Sequence, residues 1–278
     1  MTLRRIIIFG FFNILYYLHK ITGTGAFGGP EARYIDTPAD NVGNSLKAAL
    51  IKHHVKQYHE ASCSVATVVS VVNAIREVQG GGFAPVSQID ILEKVKTGKW
   101  KERMSPMGDN GKRGLPLHLL GEIVKSSLDA YEIKYEKLEI AGAPENSRQK
   151  ERIITELKSR LSDFEAKGNC VIIAHFDQGA FLRTLNIPHI SPVCGFDASN
   201  GDVTILDVDP EQVRPYKVTF ETFCKGIFNN YHHLLRPFGF KSGGYVFVKP
   251  ACLAPPFDTQ PLLSYTECRK RVFPDPFL

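Results

Sequence analysis

Between Cys63 and Ile75 the chain reads CSVATVVSVVNAI, with Val65, Val68, Val69, Val72 and Ile75 at i, i+3, i+4, i+7 and i+10. That spacing lays one apolar stripe along a helix that opens near Cys63. Residues 88–95 predict a short helix, and the polar, glycine-bearing residues 96–114 a surface loop. Pro116 suits the first turn of a helix carrying Leu117, Leu120 and Val124. Ile153, Ile154, Leu157, Leu161 and Phe164 share one face of a helix over residues 148–167, with Gly168 as its stop.

From residue 170 the pattern turns to strands. A strand is also expected over residues 131–138, where apolar positions weakly alternate. Cys170-Val-Ile-Ile-Ala174 is an apolar run of strand length. Residues 190–196 and 203–208 flank Asn200-Gly201, a strong two-residue hairpin signal. A helix over residues 220–228 and a last strand over 244–248 follow. Helices first and antiparallel strands later give an α+β fold, a helical N-terminal half packed on a sheet half. Residues 1–45 read as a signal- or anchor-like segment with an irregular lead-in, 46–250 as the catalytic domain, and 251–278 as an irregular tail.

The chain has 278 residues and a formal net charge of +5 spread along its length, with no basic run interleaved with aromatics. Nucleic acid is therefore not an expected partner. The six cysteines form no C-x-x-C pair and show no zinc-finger spacing. A chain of this length builds a core without disulfides, so Cys170, Cys194 and Cys224 read as small buried hydrophobes. At the N-terminus Arg4-Arg5 precedes an apolar run from Ile6 to Leu18 and then small residues. These are the parts of an export signal, and the run is shorter than the roughly 20 residues of a membrane span. The expectation is an exported or membrane-anchored protein in preference to a cytoplasmic one. A membrane contact through this segment and a homodimer are the macromolecular associations the sequence admits.

Cys63 carries the chemistry. A cysteine at a helix N-terminus meets the positive end of the helix dipole and unpaired backbone N–H groups, which favour thiolate over thiol. Acyl transfer also needs an oxyanion donor and a proton carrier. Gln57, in the turn ahead of that helix's mouth, offers a neutral amide for the first task, with the Cys63 backbone N–H as second donor. Among nine histidines, His53, His54, His59, His232 and His233 sit in short polar stretches with no carboxylate or thiol at ligand spacing. No metal ligands are assigned. His189 differs, because it opens one hairpin arm and Asp207 ends the other. Folding at 199–201 brings the two within a residue or two across the ladder, allowing for a bulge. An aspartate ending an apolar strand needs a partner, and the imidazole supplies one. The residues read as nucleophile (Cys63), general acid/base (His189), orienter (Asp207) and oxyanion donor (Gln57). They fit equally a buried His–Asp pair beside an inert core thiol.

These motifs resemble a known family. Gln57, five residues, Cys63-Ser-Val-Ala-Thr and then Val-Val-Asn73-Ala are similar to the active-site segment of the phytochelatin synthases, papain-like enzymes that act on glutathione. His189-Ile-Ser-Pro192 resembles that family's histidine segment, and Ile205-Leu-Asp207-Val its aspartate segment. Residues 115–122 and 244–248 resemble further family stretches. The resemblance implies a papain-like fold and cleavage of the Cys-Gly amide of glutathione through a γ-glutamylcysteinyl thioester on Cys63. Water or a second glutathione then takes the acyl group. No cofactor is implied for the chemistry; cadmium or zinc enters as a glutathione thiolate. Ile190 and Ser191, beside the histidine, are implied as substrate contacts.

Two departures bear on the substrate. Where the family commonly has arginine three residues after its aspartate, this chain has Pro210, and where arginine commonly precedes the last strand it has Gly243. Arg214, Tyr216 and Lys217, with Arg236 and Lys241, are the candidates to replace them. Two other functions stay open: a papain-like peptidase or amidase on another small thiol peptide, and a non-catalytic thiol- or metal-binding protein.

Overall fold

The computed structural model describes residues 32–36, 44–80, 84–105, 107–144, 146–182, 187–228 and 242–251, with scattered positions between 6 and 21. Its strands are β1 (Arg33–Tyr34), β2 (Tyr135–Gly142), β3 (Val171–Asp177), β4 (Pro188–Asp197), β5 (Asp202–Ile205), β6 (Tyr216–Thr219) and β7 (Gly244–Pro250). They form one open sheet in the order β1-β6-β5-β4-β3-β7-β2, antiparallel throughout. The helices are α1 (Ser45–Lys52), α2 (Cys63–Val78), α3 (Gln88–Lys94), α4 (Trp100–Arg103), α5 (Leu117–Ala130), α6 (Ser147–Lys167) and α7 (Phe220–Phe228). This is the α+β architecture expected, with helices packed on an antiparallel sheet in the manner of a papain-like fold.

Helix α2 is the centre of the molecule. The sequence marks one stripe, but every residue from Cys63 to Ile75 is buried. Such a helix must satisfy its own polar side chains, and α2 does so. Ser64 accepts from Trp100 Nε1 at 3.0 Å. Thr67 Oγ1 donates to the Ile190 carbonyl at 2.9 Å, fastening α2 to β4. Asn73 holds Val86 both ways, at 2.9 and 2.8 Å. Helix α6 ends as its sequence requires: Gly168 takes the left-handed conformation, φ 57°, and its N–H returns to the Phe164 carbonyl.

Three short elements escaped the sequence pattern: α1, β1 and β6. The loop expected over 96–114 contains α4, held by fully buried Trp100. Strand β2 begins at Tyr135, later than the alternation from residue 131 indicates.

The N-terminal expectation requires correction. Among the described residues no helix is long and apolar enough to cross a membrane. The run from Ile6 to Leu18 falls short of the roughly 20 residues that a span demands. The placement of the protein as exported or membrane-anchored, and the membrane contact through this segment, are not retained.

Candidate active site

The hairpin between β4 and β5 turns at Gly201, φ 76°, and its ladder pairs Val193 with Ile205 and Gly195 with Thr204. Cys194 is the extra residue, a bulge that adjusts the register. Beyond the ladder Leu206 N–H donates to the Pro192 carbonyl at 3.0 Å. Asp207 thus arrives beside Ser191, whose side chain shares a strand face with His189. His189 Nε2 meets Asp207 Oδ1 at 2.7 Å.

This carboxylate is buried and fully engaged. Oδ1 also accepts from the Asp209 backbone N–H at 2.8 Å and from Ser191 Oγ at 3.3 Å. Oδ2 accepts from the Tyr216 hydroxyl at 2.7 Å. Burial alone would push the Asp207 carboxyl up, but the charge and hydrogen bond of His189 and the donors from Asp209 and Tyr216 bring it down to about 2. Burial would likewise disfavour the imidazolium of His189. The charge and hydrogen bond of Asp207, joined by a hydrogen bond and charge from Cys63, outweigh it and hold His189 well above its ordinary value. With Nε2 committed to Asp207, Nδ1 is the ring nitrogen left for Cys63.

Cys63 opens α2 and is 7% exposed. Ser62 ahead of it does not cap the helix; its hydroxyl donates back to the His59 carbonyl at 2.9 Å. No side-chain cap therefore competes for the first N–H groups of α2. Gln57 is tied to the other half of the site, its N–H donating to the Val208 carbonyl at 2.9 Å. Its Oε1 is buried without a hydrogen-bond partner. One backbone bond thus joins the segment leading to Cys63 with the segment that follows Asp207.

The remaining candidates are dispersed. Ser191 and Tyr216 are completely buried and direct their hydroxyls at the His189–Asp207 pair. The Ile190 carbonyl is taken by Thr67, and its side chain is buried. Arg214 is exposed and pairs with Asp36 at 3.3 Å. Arg236 and Lys241, with His232 and His233, lie outside the described residues.

Two residues near Asp207 were not singled out by sequence. Lys56 Nζ donates to the carbonyls of Asp207 at 2.6 Å and Gln212 at 2.7 Å, bridging the turn after the aspartate. His54 Nε2 lies 3.0 Å from the same Asp207 carbonyl, and burial, then the charge of Lys56, lowers it to about 4. Their closeness to Gln57 in the chain was the available signal. Among the described residues no group of three or more His, Cys, Asp or Glu side chains is arranged to hold a metal ion.

A family model described as phytochelatin synthase matches residues 40–230. No curated protein matches the chain.

Proposed function

Because the chain belongs to the phytochelatin synthase family, we propose that it is a thiol-dependent acyl-transfer enzyme acting on glutathione. The observation that carries this reading is the buried His189–Asp207 pair at 2.7 Å, with Cys63 near enough to raise His189. The Cys63 thiolate attacks the carbonyl of the Cys-Gly amide. The oxyanion that forms is met by the Gln57 amide and the Cys63 N–H. The His189 imidazolium gives its proton to the departing glycine amine as the C–N bond breaks, leaving a γ-glutamylcysteinyl thioester. Neutral His189 then takes a proton from water, giving hydrolysis, or from the amine of a second glutathione, giving transfer, as the C–S bond of the thioester breaks and Cys63 departs as thiolate. In the transfer case the amine forms the new amide bond. Cadmium or zinc enters as part of a glutathione thiolate substrate.

A second reading keeps this chemistry on another small thiol peptide, and one observation favours it. A Cβ at Gly243 would lie 2.3 Å from the His175 carbonyl oxygen and 2.6 Å from that of Ile227. A side chain here meets two main-chain oxygens, so an arginine would require the backbone to shift.

The test is to incubate the protein with glutathione, with and without cadmium or zinc, and to follow free glycine and longer thiol peptides by mass spectrometry. Glycine release abolished in Cys63→Ala is the expected result. No turnover of glutathione while Cys63 is readily alkylated at neutral pH favours the second reading. An unreactive Cys63 overturns both.

A further inference from the structure

We propose that Arg113 forms a carboxylate subsite beside Cys63, receiving a free carboxylate of the peptide whose acyl group Cys63 takes. The inference rests on the reading of Cys63 as the nucleophile and adds to it a residue that recognises the substrate.

Arg113 is 30% exposed, and its Nε–H is buried without a hydrogen-bond partner. A buried donor left unmade is costly and marks a group awaiting an acceptor. The nearest anion is Glu60, 4.0 Å from the guanidinium and 74% exposed. A loose pair at that exposure is weak and readily displaced. Glu60 stands three residues before Cys63, so Arg113 faces the turn that leads into α2.

The residues that follow Arg113 are anchored. Arg103 donates to the Gly114 carbonyl at 3.3 Å. The next carbonyl, Leu115, accepts from His175 Nε2 at 2.9 Å. His175 lies on β3, whose next residue, Phe176, pairs with His189. The segment therefore runs from the α2 side of the site to the strand beside the histidine. The stem of Arg113 is also accommodated by the backbone. Gly108 is left-handed, φ 64°, and a Cβ there would lie 2.9 Å from Arg113 Cγ and 2.6 Å from the Lys112 carbonyl oxygen. A guanidinium with its Nε–H unpaired and only a loose ion pair at Nη2 suits a carboxylate, which it engages at two points. Lys56, on the other side of the site, has its ammonium on two backbone carbonyls.

The test compares alkylation of Cys63 by anionic iodoacetate and neutral iodoacetamide in the full chain, read at Cys63 by peptide mass mapping. Because both reagents meet the same thiol, changes in its reactivity cancel in the ratio of the two rates. Arg113→Met should lower the iodoacetate-to-iodoacetamide ratio about tenfold, the equivalent of one charge-assisted hydrogen bond. Arg113→Lys should lower it less, and Lys112→Met, the same charge removed next door, should leave it near the wild-type value. An unchanged ratio in Arg113→Met, or an equal fall in Lys112→Met, overturns the subsite alone. A Cys63 inert to both reagents overturns the nucleophile and the subsite with it. With glutathione, Arg113→Met should raise KM more than it lowers kcat; an unchanged KM also counts against the subsite. Glutathione glycyl ethyl ester identifies the ligand: a KM effect that vanishes with the ester assigns the glycine carboxylate, and one that persists assigns the γ-glutamyl carboxylate.

Discussion

The Tyr216 hydroxyl donates to Asp207 Oδ2 at 2.7 Å, on the oxygen opposite the one that meets His189. Both residues are buried, so neither oxygen has water as an alternative. Tyr216→Phe leaves Oδ2 without a donor, and an unpaired buried acceptor costs about 1–3 kcal/mol, more when charged. Urea unfolding should show a loss of that order, and glycine release should slow because Asp207 is less firmly ionised. A variant as stable and as active as the wild type would deny Tyr216 this positioning role.

Replacing Asp207 by asparagine keeps the shape and removes the charge. His189 then loses the main influence opposing its burial and its proton affinity falls. The pH range in which His189 is an imidazolium able to give up its proton should close from its alkaline side. In the pH profile of glycine release, which needs the His189 proton, the alkaline limb should move to lower pH. Turnover should fall by about 10²–10⁴, the range of a general acid–base contribution.

Stability should peak near neutral pH, for opposed reasons on the two sides. His54 and His175 are each lowered to about 4, chiefly by burial. The unfolded chain binds their protons at about 6.5 and the folded one resists until about 4, so stability falls as pH drops through that interval. Asp207, lowered to about 2, adds a further loss as pH falls from about 4 toward 2. His189 acts in the other direction. Its folded value is raised, so its contribution is complete below about 6.5 and is lost as pH rises through the folded value. Melting temperature against pH should be dome-shaped. His54→Asn should flatten the acid slope, and His189→Ala should remove the alkaline one; an alkaline slope unchanged in His189→Ala would contradict this assignment.

What the sequence discloses and what it conceals divide by range. Gly168, Asn200-Gly201 and the stripe of α2 act locally, through backbone conformation and periodicity, and each lies where its pattern puts it. The hairpin also brought His189 to Asp207, because a tight turn converts sequence spacing into register. Burial of α2 on all sides was not legible, since it depends on which elements cover the opposite face. Strand β1, two residues long, exists only through its pairing with β6. Tyr216 and Ser191 read as substrate contacts, yet their hydroxyls face Asp207 because β6 and β4 flank β5. Contacts of this kind between separate strands leave no periodic trace.

Gln57 gives the most selective prediction. Its N–H is fixed on the Val208 carbonyl at 2.9 Å, and its buried Oε1 has no donor. An amide bound in this way has its NH2 group left to offer, and a neutral donor beside a thiolate stabilises the oxyanion that forms when the thiolate attacks. On the proposed mechanism that interaction belongs to the transition state of acylation and not to alkylation, where no oxyanion develops. Gln57→Ala should therefore slow glycine release by about 10²–10³ and leave the rate of Cys63 alkylation by iodoacetamide unchanged. Gln57→Glu, with nearly the same shape, places an acceptor and a negative charge where the oxyanion forms and should be slower still. If both variants release glycine as fast as the wild type, the oxyanion is held by backbone N–H groups alone. If alkylation falls in parallel with glycine release, Gln57 supports the thiolate itself.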